Sequence, residues 1–332
     1  MRIEIEIERS CPGEGQAARF QSFHVEVPRH ATVLDTLMAV KNQEDGSVTF
    51  RRSCRSAICG SCAMRINGRS GLACDTQVEG ELRRHGKLRI QPLAHMPVVR
   101  DLAVEIDPFW ARVRAVQPWV ERPREAEPSW PVEQETRMPQ SAAEEMDDTS
   151  KCIMCMSCFS ACEVAEVDTR FLGPAALAKA YRFVADPRDT NTQNRLATLN
   201  GGGGYWDCTR CNQCVEACPK DVKPMEAIVH LRREAIRAGF TGTIGSRHIT
   251  DFLSIVRQEG RLNEGRMPMQ MKGFNPFKLL PVLPLAWRMW RKGKLPLPWH
   301  WPIPGVSQVR RIMDRKGGAR RKSFVVGKGD LK

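Results

Sequence analysis

Twelve of the thirteen cysteines fall into three sets of four. The first set is Cys54, Cys59, Cys62 and Cys74, spaced Cys-x4-Cys-x2-Cys-x11-Cys. The second is Cys152, Cys155, Cys158 and Cys162, and the third is Cys208, Cys211, Cys214 and Cys218. Both of these read Cys-x2-Cys-x2-Cys-x3-Cys. Packing cysteines show no such repetition, so the three sets read as thiolate ligands for metal. Four-thiolate zinc is one occupant, because zinc sites also use Cys-x2-Cys pairs. Zinc does not require a third Cys at x2 and a fourth at x3, twice, and that repetition points to iron–sulfur chemistry. Cys11 is left over and reads as an ordinary thiol beside a Pro-Gly turn.

The first spacing is that of plant-type 2Fe–2S ferredoxins. Its loop has small residues between ligands, which lets backbone N–H groups turn toward cluster sulfides. The second and third spacings are those of bacterial two-cluster ferredoxins, in which the fourth Cys of each run ligates the other cluster. That rule assigns Cys152, Cys155, Cys158 and Cys218 to a 4Fe–4S cluster. It assigns Cys162, Cys208, Cys211 and Cys214 to a second cluster. No residue of this chain is expected to be catalytic by itself.

The elements around the ligands follow from residue patterns. Ile3, Ile5 and Ile7 alternate as a half-buried strand, as do Phe23, Val25 and Val27. Thr32–Val40 reads as a helix with Thr32 as N-cap. Ala63–Asn67 and Lys87–Gln91 supply further strands. Gly173-Pro174 and Pro224 open helices, the latter with Ile228, Leu231 and Ala235 on one face and Gly239 as its stop. Another helix is expected at Ala142–Asp148, and one over Gly245–Glu264 with Ile249, Phe252, Leu253 and Val256 at helical spacing, ended by Gly260. The fold class is α+β: a β-grasp 2Fe–2S ferredoxin domain over 1–98, a connector over 99–145, a mainly helical double-cluster ferredoxin domain over 146–240, and a helix plus basic Pro/Trp-rich tail over 241–332.

The chain has 332 residues and a net charge of +13, which raises nucleic acid as a partner. The charge is local. Residues 241–332 carry +14, residues 101–150 carry −7, residues 1–100 carry +4 and residues 151–240 carry +2. No aromatic-basic stacking platform or reading helix accompanies it, so nucleic-acid binding is not expected. Met1–Arg9 has no apolar core of a secretory leader. The longest run without Asp, Glu, Lys or Arg is Leu295–Val309, 15 residues with four prolines, too short to span a bilayer. Trp287, Trp290, Trp299 and Trp301 stand among Arg288, Arg291, Lys292 and Lys294, which suits a bilayer interface or, slightly better given the prolines, a partner subunit. A mobile end is expected over Arg310–Lys332.

The order of modules resembles the iron–sulfur subunit of succinate dehydrogenases and fumarate reductases. Four stretches carry the resemblance: Pro92–Pro108, Lys151–Cys162, Gly173–Asp189 and Trp206–Ile228. It implies electron transfer within an oxidoreductase complex of respiration or the tricarboxylic acid cycle. It also implies a flavoprotein catalytic subunit as partner and a quinone-linked membrane anchor or cysteine-rich subunit. The expected location is cytoplasmic, peripheral on the inner face of the cytoplasmic membrane through that complex.

Two departures from the family stand out. Its second bacterial-type cluster is commonly 3Fe–4S, because one ligand position is aliphatic; here that position is Cys211, so 4Fe–4S is expected, with 3Fe–4S as the alternative. The family's quinone pocket uses a Pro, a Ser and a Trp after the first run, and a His after the first Cys of the third. This chain has Glu163–Val167 and Thr209 there, so the usual quinone site is expected to be absent. Gly245–Glu264 loosely resembles the C-terminal part of the small double-cluster protein of heterodisulfide reductases. The resemblance therefore implies a non-standard branch pairing with a cysteine-rich subunit, or a thiol-driven fumarate reductase. Lys151, Arg210, Lys220 and Lys223 are candidates to offset cluster charge.

Overall fold

The computed structural model describes residues 1–122, 137–272, 277, 280–295 and 301–314. Part of the Pro-rich connector, Trp299 and the chain from residue 315 onward lie outside the described residues. Met1–Phe240 forms one compact unit and Thr241–Lys332 a second.

In the first unit, strand β1 (Arg2–Cys11) buries Ile3, Ile5 and Ile7 on one face and pairs antiparallel with β2 (Gln16–Glu26). Helix α1 (Val33–Gln43) starts at Thr32, whose hydroxyl accepts from the Asp35 amide while Asp35 accepts from the Thr32 amide. This reciprocal cap satisfies two otherwise orphaned donors. Strands β3 (Ala63–Ile66) and β4 (Arg69–Leu72) form a hairpin. Helix α2 (Val78–His85) leads into β5 (Leu88–Gln91), which runs parallel to β1 and antiparallel to β3. The five-stranded order is β2-β1-β5-β3-β4.

Two of these elements exceed the sequence expectation. β4 carries only Leu72 as a buried apolar residue, so it lacks an alternating pattern. Its signal is the turn instead: Asn67 and Gly68 both have positive φ, 48° and 82°, which an Asn-Gly hairpin requires. Helix α2 is mostly charged, and it buries only Val78 and Glu81.

A short hairpin of β6 (Val98–Arg100) and β7 (Ala103–Val104) and helix α3 (Asp107–Ala115) join the sheet to the helical part. There α4 (Gln140–Ser150), α5 (Ser157–Ser160), α6 (Glu163–Val167), α7 (Pro174–Val184), α8 (Thr192–Leu199), α9 (Gln213–Glu216) and α10 (Pro224–Arg237) follow in order. Ile228, Leu231 and Ala235 on α10 are fully buried, and Gly239 follows with φ 91°. One hydrophobic core runs from Ile3 through Phe109 and Phe159 to Ala235. The sheet and the helical part therefore share an interior.

The two parts are also joined by hydrogen bonds. The Ser160 hydroxyl accepts from the Ser70 hydroxyl at 2.8 Å and from the Ala94 amide at 2.9 Å. Arg195, almost fully buried on α8, donates to the carbonyls of Val116, Gln117 and Trp119 and pairs with Asp189. It fixes the end of α3's connector against the helices.

The second unit contains α11 (Ile244–Glu259), α12 (Arg266–Met271), α13 (Leu283–Arg291) and α14 (Val306–Asp314). The apolar stripe of α11 at helical spacing is only partly buried. Phe252 and Leu253 are exposed, and Ile255 is the buried apolar residue of the helix.

Candidate metal centres

The first cysteine set sits on the segment between α1 and β3, with Cys74 just after β4. Arg55, Ala57 and Gly60 all adopt positive φ, at 59°, 57° and 74°. Such turns rotate amides to one side and make an anion-binding concavity. The amides of Ser56, Ile58 and Cys59 reach the Cys54 sulfur at 3.4, 3.4 and 3.3 Å. The Ala57 amide reaches the Cys74 sulfur at 3.3 Å, and that of Ser61 reaches Cys59 at 3.5 Å. The Ser56 amide first, then those of Cys59 and Ile58, pull the Cys54 thiol down to about 6. Cys62 lies inside, and burial pushes its thiol up to about 12. Cys54 and Cys59 face solvent.

The second and third sets share a backbone device. Met154 and Met156 have φ of 54° and 68°; Arg210 and Asn212 have 64° and 67°. In each run these are the residues two and four places after the first Cys. Bulky residues in this conformation cost about 1–3 kcal/mol each. Its repetition at equal positions marks a constraint imposed by the ligand loop. After Cys218, Asp221 and Lys223 repeat the theme, and the Val222 amide donates to the Cys218 sulfur at 3.4 Å.

Two cavities in the helical part are lined by cysteines of the second and third sets. One is lined by Cys152, Cys155, Cys158 and Cys218, with Ile153, Met154, Met156, Ala175 and Val222 as apolar walls. The other is lined by Cys162, Cys208, Cys211 and Cys214, with Val164, Phe171 and Met225. Each cavity thus takes three cysteines of one run and one of the other. Burial raises the Cys155 and Cys162 thiols, pushes Cys214 up to about 12 and holds Cys158 well above the ordinary thiol range. Thiols held this way stay protonated until a metal displaces the proton. Buried sulfur in an apolar wall with inward amides fits a Cys-ligated cluster. Among the described residues, no three His, Cys, Asp or Glu side chains close on a single-ion point. One zinc would draw four sulfurs to about 2.3 Å from itself. All thirteen cysteines are free thiols.

The first two sets meet directly. A Cβ placed on Gly60 would lie 2.8 Å from Cβ of Cys155 and 3.1 Å from the Ile153 carbonyl oxygen. Only a glycine lets these loops touch.

Of the four expected cations, two are already paired. Lys151 contacts Asp147 at 2.7 Å and Asp148 at 3.0 Å, and Lys223 contacts Asp148 at 2.8 Å. Burial raises Cys152 and Cys208, while Lys179 favours the Cys152 thiolate and Arg232, together with the expected Arg210, favours that of Cys208. Arg232, on α10, is buried and donates to the carbonyls of Tyr205, Trp206 and Cys208 at 2.7, 3.0 and 2.6 Å. It clamps the chain entering the third run. The signal for it is an arginine inside the apolar stripe of Ile228, Leu231 and Ala235. Cys11 is buried at the end of β1, where the register with β2 shifts, and lies apart from the three sets. Thr209 lines the second cavity, and Glu163–Val167 forms α6.

Comparison with known proteins finds iron–sulfur domains over the segments that carry the three cysteine sets. Residues 4–111 match the 2Fe-2S iron-sulfur cluster binding domain, and residues 148–222 match the 4Fe-4S dicluster domain. The chain is 41% identical over 228 residues to the fumarate reductase iron-sulfur subunit of Mycobacterium tuberculosis, covering 68% of this chain and 90% of that one. It is 38% identical over 230 residues to the succinate dehydrogenase iron-sulfur subunit of Paracoccus denitrificans, covering 68% and 85%. The fold resembles a chain of the Mycobacterium smegmatis Sdh1 complex in its apo form, with a TM-score of 0.62 and 24% identity over 71% of this chain and 96% of that one.

Proposed function

The chain belongs to the iron–sulfur subunit family of fumarate reductases and succinate dehydrogenases, and from that premise we propose that it relays electrons between a flavoprotein subunit and a quinone-linked, cysteine-rich subunit. It is the electron-transfer part of an oxidoreductase complex. In this reading Cys54, Cys59, Cys62 and Cys74 hold a 2Fe–2S cluster. Cys152, Cys155, Cys158 and Cys218 hold one 4Fe–4S cluster, and Cys162, Cys208, Cys211 and Cys214 hold a second. When bound, the clusters supply one-electron chemistry at thiolate-ligated iron.

The observation that carries the reading is the crossed lining of the two cavities, each with three cysteines of one run and one of the other. The residues have separable tasks. The left-handed turns aim amides at sulfur, the apolar walls exclude water, and Gly60 brings the first ligand loop against the second. Arg232 and Lys179 place positive charge near the thiolates of Cys208 and Cys152.

Electron exit through another protein is favoured by Thr209 and Glu163–Val167 at the positions where the family builds its quinone pocket. The same replacements support the second reading, a relay in a thiol-driven fumarate reductase or heterodisulfide-reductase-like complex. Supplying the isolated complex with quinol, then with a dithiol, separates the two.

The test of the relay is reconstitution. Purified alone, the chain should be coloured and reducible yet oxidise no succinate with a dye acceptor. Adding the flavoprotein subunit should restore that oxidation and reduce the chain. Unaided succinate oxidation would overturn the relay.

A further inference from the structure

The second unit, Thr241–Lys332, contains a feature that electron relay does not use. From Gly265 to Met313 there are 49 residues with nine Lys or Arg and no Asp or Glu. Within this run, helix α13 (Leu283–Arg291) has no buried residue. Leu283, Trp287 and Trp290, one helical stripe at i, i+4 and i+7, are 56%, 57% and 66% exposed. Arg291, four residues after Trp287, flanks the stripe with its guanidinium 4.9 Å from the Trp287 ring centre, while Arg288 stands on the other side together with exposed Leu285. Pro284 stands in the first turn, where its missing N–H costs nothing, and Gly293 with φ 64° follows the last turn, so the helix stays short.

The Ile303 amide donates to the Glu259 carbonyl at 2.9 Å, at the C-terminus of α11. Gly260, with φ 80°, has no room for a side chain, because a Cβ would lie 2.4 Å from Ile303 Cγ1. Helix α14 then packs on α11, where Arg257 pairs with Asp314 and Arg310 donates to the Arg257 carbonyl at 3.0 Å. Glu259, Gly260 and Ile303 therefore stand together, on either side of α13 in the sequence. Trp301 is 90% exposed.

We infer that helix α13 with the basic residues Arg288, Arg291, Lys292 and Lys294 is a direct docking element for anionic lipid headgroups, lying in the plane of the bilayer surface. Charge complementarity identifies the occupant. A strip free of acidic residues and rich in Lys and Arg is drawn to anionic phosphates. The exposed stripe of Leu283, Trp287 and Trp290, with Arg291 at its edge, suits the acyl boundary, where indole has one apolar and one polar neighbour. Among the described residues no helix is long and apolar enough to cross a membrane, so contact is in-plane. The inference stands apart from the redox reading, since it uses none of the cysteine sets.

The test is co-sedimentation of the full chain with vesicles of equal parts phosphatidylcholine and phosphatidylglycerol, against vesicles of phosphatidylcholine alone. Binding to the anionic vesicles, a blue shift of tryptophan emission and loss of binding at high salt are expected. Each removed basic residue should weaken binding about fivefold. Arg288→Gln with Arg291→Gln, and separately Trp287→Ser with Trp290→Ser, should each lower binding while the visible absorption of the chain is unchanged. These side chains are exposed, so folding is preserved, and the unchanged absorption verifies it. Equal binding to both vesicle types, no binding to either, or binding that appears only after a membrane subunit is added would overturn the proposal.

Discussion

Gly60 and Cys155 are in backbone contact: a Cβ on Gly60 would stand 2.8 Å from Cβ of Cys155 and 3.0 Å from its Cα. The first belongs to the loop of the plant-type set and the second to the first bacterial-type run. Gly60 also has φ 74°, a conformation that disfavours any side chain. The closest approach of two ligand loops thus rests on a missing methyl group.

Gly60→Ala should therefore push the loops apart. The left-handed backbone alone costs about 1–3 kcal/mol. Magnetic coupling between the reduced 2Fe–2S centre and its neighbour, read by EPR, should weaken, with a lower thermal midpoint. Unchanged coupling would show that the contact does not set the separation.

Cys211→Val should convert the second cluster from 4Fe–4S to 3Fe–4S by removing one ligand. The oxidised variant should show a 3Fe–4S EPR signal that the parent lacks, and its midpoint potential should rise. Cys211 is exposed, so the change should leave the fold intact, as circular dichroism would verify.

Arg232→Met should strand the carbonyls of Tyr205, Trp206 and Cys208, which Arg232 now satisfies. The cost should be about 3 kcal/mol. Iron analysis should show selective loss from the second 4Fe–4S site, with the 2Fe–2S absorption retained.

Acid should act through two carboxylates. Hydrogen bonds from Ser47, then Arg9, hold Asp45 down to about 2, against 3.8 when free. Asp186 is also held low, by Arg188 first and by Arg182, against the opposing effect of burial. A depressed carboxylate contributes stability above its unfolded pKa and loses it as pH falls through the folded value. Asp45→Asn and Asp186→Asn should therefore lower the thermal midpoint at neutral pH. The difference from the parent should shrink below about pH 4.

Much of this was legible in the sequence because each ligand set is local. Cys-x2-Cys intervals fix a loop, and Ile3, Ile5 and Ile7 fix a strand face, without knowledge of anything distant. The Thr32–Asp35 cap is equally local. What could not be read is long-range. Gly60 against Cys155, Ser70 against Ser160 and Arg232 against the Cys208 carbonyl each join segments at least 24 residues apart. Strand β4 escapes a sequence reading for a different reason: its pattern is weak, and only the Asn67-Gly68 turn announces it. The α11 stripe misleads because helical spacing identifies a face without saying what covers it. Phe252 and Leu253 lie on that face and remain exposed.

The cluster assignment is tested most directly by EPR and iron analysis of the anaerobically purified chain. It should carry about ten iron atoms. Oxidised, it should be free of a 3Fe–4S signal; reduced with dithionite, it should show one 2Fe–2S and two interacting 4Fe–4S centres. A colourless zinc protein, or a native 3Fe–4S signal that iron reconstitution does not remove, would contradict it.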